Sequence, residues 1–394
     1  MSRPSIHPKH AHIGALETLR GFGALLVLGC HLAGFYLPAA FQNASTAPQF
    51  QLESWLRWFP ASVLISGRFA VSLFFVLSGV VLSLRHLGPH AAPERELAGA
   101  VVKRLFRLLP MVLVTALLTV ALGRAGLLYH LEYARTPSLD WLATKVEWQK
   151  PIQELLRQAW YRPITEATAI SPPLYTIGLE IQGSFLIFAL LFLMPRVVHH
   201  RWILGFTVLV FHADSLAGFV VGLLLADLFQ NSPGFRQWAA RPILAIPGLV
   251  LGLWLGSQQL GGMENLENPT GSPLLPSIHF GYYGWQMLGA MLVLAVVLGN
   301  PVMLRVLDFP IGRWLGSISY GLYAIHFTVL SSLGCWIALR MPGGRTAGAS
   351  LLIASIASTI ISLLAGWILR ELIDRPSQRL ASRVARVFVP PYKP

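Results

Sequence analysis

The stretch ALETLRGFGALLVLGCH, Ala15 to His31, decides the fold. Its charges stop at Arg20, and from Phe22 to Cys30 every side chain is apolar or absent before His31 interrupts the run. No small-residue cleavage signature accompanies it, so the segment reads as a retained first membrane helix over 22–41 rather than a leader. The rest of the chain agrees. Of 394 residues, 54% are hydrophobic and only 12% charged, with a mean hydropathy of +0.59. A soluble domain carries about a quarter charged residues, so a soluble enzyme is excluded and the chain is better counted in spans of roughly 20 residues.

Apolar windows predict an all-α, polytopic membrane bundle of about ten helices. They fall near 22–41, 62–84, 108–128, 172–195, 202–211, 215–229, 243–260, 280–299, 315–339 and 347–369. The fifth is short, so 202–229 reads either as two spans or as a re-entrant hairpin. Alternating assignment puts 20 of the 30 Lys and Arg residues on the N-terminal side, leaving eight on the other and Arg68 and Arg124 within spans. That asymmetry predicts cytoplasmic termini. The segment from Tyr129 to Ser171, with Trp141, Trp148 and Trp160, reads as a long neutral outer loop packed against the membrane face. The basic tail over 370–394 suits anionic headgroups. We read residues 1–394 as one transmembrane domain.

The formal charge of +13 would suggest nucleic acid in a soluble protein, but here the basic residues lie between spans and read as topology, with no nucleic-acid partner. Cys30 and Cys335 sit in apolar runs, which argues against a disulfide framework, a zinc module or any other metal site.

Ionisable groups inside spans are costly and need a reason. His31 follows Arg20 by eleven residues, which on a helix returns to nearly the same face about 16 Å further along. That stripe suits a long ligand with an anionic head at the inner rim and a reactive tip near mid-membrane. A plain alternative is an anchoring Arg20 and a hydrogen-bonded core histidine. Glu180 and His326 lie deep in the fourth and ninth windows. Arg104 and Arg107, one turn apart beside Lys103, form a guanidinium pair suited to phosphates. Alone, these too have bland readings: snorkelling arginines, a salt bridge from Glu180 to Arg68, and another satisfied core histidine.

Six segments in order resemble the acyltransferase-3 family of integral membrane acyltransferases. They are Ala15 to His31; GRFAVSLFFVLSG, Gly67 to Gly79; KRLFRLLP, Lys103 to Pro110; PLYTIGLEIQ, Pro173 to Gln182; SISYGLYAIH, Ser317 to His326; and LIDRP, Leu372 to Pro376. The chain departs from the family pattern at Ser72, where an Asp is usual, at Tyr175 in place of Trp, and at Ile181 in place of a second Glu. It resembles the stand-alone form, without a fused hydrolase-like domain.

The resemblance implies transfer of an acyl group, most often acetyl, from acyl-CoA to a hydroxyl of a carbohydrate or lipid-linked glycan, in a protein of the bacterial inner membrane surrounded by membrane lipid. Arg20, Arg104, Arg107 and Lys103 would hold CoA. His31 would act as general base or transient acyl carrier, with Glu180 orienting it or the acceptor, and His326 and Tyr320 stabilising the oxyanion or lining the acceptor tunnel. Arg68 and Tyr175 would contact the acceptor. A proton-coupled transporter or flippase is the rival class, because buried His and Glu also serve carriers, though no paired inverted halves are visible. A His–Asn membrane O-acyltransferase fits less well, since Asn231 and Asn300 fall at span ends. Signatures of soluble acyltransferases, Gly-x-Ser-x-Gly hydrolases and His-Glu-x-x-His proteases are absent.

Overall fold

The computed structural model describes residues 8–41, 47–88, 94–135, 139–143, 145–160, 170–211, 214–258 and 284–388. These are helical, with no strand among them. The principal helices are α1 (Pro8–Tyr36), α2 (Gly67–Leu84), α3 (Arg95–Arg124), α4 (Pro172–Leu193), α5 (His200–Val210), α6 (Ala217–Asn231), α7 (Pro242–Gly256), α8 (Gly284–Gly299), α9 (Pro310–Val329), α10 (Gly348–Leu369) and α11 (Arg375–Phe388). Proline opens several of them (Pro172, Pro242, Pro310), where its fixed φ suits the first turn and its missing N–H costs nothing.

Among the described residues, six helical stretches are long and apolar enough to cross a bilayer: Gly14–Tyr36, Gly67–Leu84, Arg95–Arg124, Pro172–Arg196, Pro310–Arg340 and Gly348–Val387. α7 and α8 each meet a short neighbouring helix at a sharp bend, of 78° and 99°, and reach eight if each bent pair is one span. All ten apolar windows contain a helix, and by length and composition six to eight of the described spans could cross. α5 and α6, at 11 and 15 residues, rise only about 16 and 22 Å against a hydrocarbon core of about 30 Å. Asp227 of α6 clips them together as an antiparallel pair. It accepts from Arg201 at 2.7 Å and from Asn231 at 2.7 Å, and lies 3.5 Å from His200.

The seam that positions the functional residues lies between α1 and α9. In lipid, apolar burial does not drive helices together, so close approach depends on small residues. Here Gly312 packs on Thr18, and Gly316 on the backbone of Glu17, while Gly21 faces Gly316 in return. A second small-residue contact, Gly321 against Gly366, docks α10 on the other side of α9. Two wide π-type turns interrupt this layer, at Leu330–Gly334 after α9 and at Arg370–Asp374 before α11.

The segment from Tyr129 to Ser171 packs on the helix bundle. Its short helices His130–Tyr133, Asp140–Ala143 and Ile152–Trp160 cover one end of the bundle. Tyr133 donates to the Phe35 carbonyl at 3.1 Å, the Tyr129 amide donates to Ser331 at 2.8 Å, and Trp141 packs edge-on against Phe35. Trp148 fills the space over Gly123, and Trp160 stays exposed. Residues 136–138, 144 and 161–169 of that segment lie outside the described residues. Of the basic stretch over 370–394, residues 389–394 lie outside the described residues, and the rest is helical. α11 buries Ser377, Ala381 and Ala385 and packs on α3.

Two outcomes are expected. Gly316→Ala drives a methyl into the Glu17 carbonyl and should destabilise the protein by about 1–3 kcal/mol, whereas Gly205→Ala, facing open space, should be neutral; thermal unfolding in detergent compares them. His130, buried with neither ring nitrogen hydrogen-bonded among the described residues, is pushed by burial from 6.5 down to about 4. The unfolded chain therefore binds the extra proton, so stability should fall as pH drops from about 6.5 to about 4. His130→Phe should flatten that part of a pH–stability profile.

Candidate active site

α1 carries Arg20 and His31 on one uninterrupted helix, and both face α9, so the predicted stripe exists. Its upper residue is not at mid-helix. Because α1 already begins at Pro8, His31 stands five residues, about 8 Å, before its end at Tyr36.

At that level His31 meets His326. The His31 Nδ1 lies 2.8 Å from His326 Nε2, with the rings stacked at a centroid distance of 5.0 Å. His326 is fully buried, and its Nδ1 faces the carbonyls of Leu322 at 3.1 Å and Tyr323 at 2.9 Å. Carbonyl oxygens only accept, so Nδ1 of His326 must carry the proton and Nε2 of the neutral ring must be a lone pair. The shared hydrogen bond is then donated by His31 Nδ1–H, which leaves the lone pair of His31 on Nε2. Helix backbone thus fixes one tautomer, and that tautomer fixes the other. Phe327 closes edge-on against His31, 5.0 Å away.

Below the histidines, a cavity of about 400 Å³ opens between α1, α2, α3, α4, α9 and the turn into α11. Five arginines line it, Arg20, Arg104, Arg107, Arg370 and Arg375, against the three carboxylates Glu17, Glu180 and Asp374. The balance is cationic. Arg104 is held by Glu180 in an ion pair and donates through Nε to Ser184 at 2.7 Å, while Ser78 donates to the same carboxylate at 2.5 Å. Arg107 stands 3.7 Å from the buried Asp374. No protein hydrogen bond holds Arg20 among the described residues, so its guanidinium remains open to the cavity. Tyr320 donates to the Leu108 carbonyl at 2.6 Å, tying α9 to α3.

Between this cavity and the histidine pair stand two aromatic rings. Tyr323 is hydrogen-bonded to Thr176 at 2.5 Å, packs edge-on with Phe74 at 5.5 Å, and lies 6.0 Å from the His326 ring.

The predicted residues therefore divide into groups. His31 and His326 form one centre, and Arg20, Arg104, Arg107, Glu180 and Tyr320 line the adjoining cavity. Glu180 engages Arg104 and Ser78, and His326 takes the orienting position beside His31. The ion-pair partner of Glu180 is Arg104, so the alternative pairing with Arg68 does not describe it; Arg68 is half-buried in the first turn of α2, outside the cavity lining. Tyr175 points away, 40% exposed, while its neighbour Thr176 faces the cavity. Lys103 is exposed and lines a separate pocket at the basic end. Ser72, where the chain departs from the family pattern, is buried outside the lining. Sequence reading missed Ser78, Thr176, Tyr323, Arg370 and Asp374. Ser78, Thr176, Tyr323 and Asp374 do sit inside the quoted segments GRFAVSLFFVLSG, PLYTIGLEIQ, SISYGLYAIH and LIDRP, which was the available signal; Arg370 lies outside all of them.

Residues 13–371 match the sequence model of a family described as an acyltransferase domain. The chain belongs to this acyltransferase-3 family. It is also 23% identical over 412 residues to Acyltransferase MdmB of Streptomyces mycarofaciens, an alignment covering 98% of this chain and 96% of that protein. No solved structure matches. With its apolar helices, membership makes the protein a multi-pass membrane acyltransferase, which decides for an enzyme over a carrier.

The Arg104–Glu180 pair is mostly shielded, with side chains 13% and 18% exposed, so removing one partner strands a charge. Arg104→Leu and Glu180→Leu should each destabilise by roughly 3 kcal/mol, and the double variant by clearly less than their sum. A thermal double-mutant cycle reads the coupling.

Proposed function

We propose that this acyltransferase moves an acyl group, most simply acetyl, from acyl-CoA to a hydroxyl of a carbohydrate or lipid-linked glycan at the bacterial inner membrane, with its basic end and both termini in the cytoplasm. The observation that carries this reading is the His31–His326 pair, which the rings of Tyr323 and Phe74 separate from a cavity whose walls are rich in arginine. Coenzyme A has phosphates at one end and a thioester at the other, and a long flexible arm between them. A cationic chamber leading toward an imidazole suits that shape.

In this reading His31 Nε2 takes the proton of the acceptor hydroxyl as its oxygen attacks the thioester carbonyl. The tetrahedral intermediate collapses with cleavage of the C–S bond, and the CoA thiolate leaves with the proton returned by the His31 imidazolium. While the imidazolium exists, its Nδ1–H points at His326 Nε2, so His326 performs the orienting task that a carboxylate performs in a catalytic triad. His326 can do so without a buried negative charge, because its own Nδ1–H is satisfied by carbonyls of its helix. Tyr323, Phe74 and Thr176 are the groups the arm must pass or displace. Glu180 holds Arg104 in place in the cavity wall, and Arg20, without a hydrogen bond among the described residues, presents its guanidinium to the donor.

Inverted membrane vesicles supplied with radiolabelled acetyl-CoA test the reading. Label should enter an ester of an envelope glycan, and His31→Ala should lower that rate by about 10²–10⁴ while the protein still inserts. His326→Phe, which keeps the ring packing and removes Nε2, should lower kcat with little change in KM for acetyl-CoA. Full transfer by His31→Ala would remove the imidazole from the mechanism, and absence of any labelled ester would count against an acetyl-CoA donor.

A further inference from the structure

α1 and α9 lie side by side in the same direction, Thr18 beside Gly312 and His31 beside His326, and both continue past the histidines. Tyr36 follows His31 by five residues and the Ser331 of the π-type turn follows His326 by five, so both stand about 8 Å further along, away from the arginine-lined cavity. Two more polar side chains meet them at that level. Ser358 of α10 approaches Tyr36 over Gly334: a methyl on that glycine would stand 2.2 Å from the Tyr36 hydroxyl and 2.6 Å from the Ser358 hydroxyl. His130 is next in sequence to Tyr129, whose amide donates to the Ser331 carbonyl.

These four side chains are at most 2% exposed. The hydroxyls of Tyr36, Ser331 and Ser358 and both ring nitrogens of His130 nevertheless have no hydrogen-bond partner among the described residues. A buried polar group left unpaired costs stability, and here the cost is concentrated in one layer. Other hydroxyls of the same elements escape it by turning back on their own helix: Ser332 donates to Thr328 at 2.8 Å, Ser355 to Leu351 at 2.7 Å and Thr359 to Ser355 at 2.8 Å. Those of Tyr36 and Ser358 converge over Gly334 instead.

Hydroxyl and imidazole groups both give and take hydrogen bonds without a fixed charge, a set that matches sugar hydroxyls better than a phosphate or an acyl chain. The layer is also tied to the catalytic helices. Tyr133 bonds the Phe35 carbonyl and Tyr129 bonds Ser331, so one segment is fastened to α1 and to the turn after α9. Phe35 and Phe327, with ring centroids 5.2 Å apart, fill the interval down to His31, which is only partly buried while His326 is fully so.

Resting on the acyl-transfer reading above, we infer that Tyr36, His130, Ser331 and Ser358 form a site for the sugar of the acceptor, whose hydroxyls pair with these side chains. The segment carrying His130 closes the site and must shift to admit it.

The test uses inverted vesicles supplied with radiolabelled acetyl-CoA, their own envelope glycan being diluted stepwise by fusion with phosphatidylcholine liposomes. Tyr36→Phe with Ser358→Ala removes two hydroxyls and little else. It should raise the glycan content needed for half-maximal transfer about tenfold and leave KM for acetyl-CoA unchanged. Thermal unfolding in detergent should be unchanged or raised, since an unpartnered buried hydroxyl contributes no bond to lose. His130→Phe should shift the acceptor dependence in the same direction, and Ser355→Ala should not. A fall in the unfolding temperature of the double variant overturns the site whatever the acceptor dependence, because the hydroxyls would then be holding structural water. Unaltered acceptor dependence in the double variant, with transfer still lost in His31→Ala, overturns the site while leaving the proposed function standing. Absence of labelled ester in the parent counts against the function itself, and the site falls with it.

Discussion

The close approach of α1 to α9 is the constraint on which the rest depends. Within a bilayer two apolar helices gain little by touching, and what holds them is packing at short range. Gly312 and Gly316 on one helix and Gly21 on the other remove the side chains that would keep the backbones apart. With the axes that close, a histidine on each can share a single hydrogen bond of 2.8 Å, and an arginine three turns below can face the same cavity as Tyr320. Glycine at these places is needed for proximity. None of the three requires a positive φ.

The second principle is electrostatic. A hydrogen bond that commits one nitrogen of a buried imidazole leaves the other as an open lone pair. A neighbouring aspartate would do this at the cost of burying a charge, which is expensive in an apolar bundle. This chain uses two neutral rings and the carbonyls of Leu322 and Tyr323. The carboxylates that are present are instead placed where arginines already stand: Glu180 with Arg104, and Asp374 with Arg107. The cavity is thereby kept cationic without leaving every guanidinium to repel its neighbours.

How much of this was legible in the sequence follows from period and cost. Apolar windows located every principal helix up to α10, because a lipid-facing helix must be apolar over its length. They could not say which windows cross, since a bend at Ala239–Pro242 or after Gly299 has no signature in hydropathy. α1 was placed too late because its polar first turns, before Gly14, continue the helix outside any apolar run. The stripe from Arg20 to His31 was readable from spacing alone. Its partner was not: pairing His31 with His326 rather than with Glu180 depends on the rotation of α9, and that is set by glycine contacts between residues nearly 300 positions apart. Asp374 reached the cavity through a π-type turn, which shifts the register of everything after it in a way that a regular helical wheel does not anticipate.

That same turn delivers α11, whose residues line the arginine-rich cavity and the separate pocket at Lys103, Arg375 and Gln378 in the first and Ala385 and Arg386 in the second. The histidines belong to helices made earlier in synthesis, and this wall is translated after them. A nascent chain halted before Arg370 would already contain both histidines yet lack Arg370, Asp374, Arg375 and Gln378 from the cavity wall, so the cavity closes only after the histidine pair has been made.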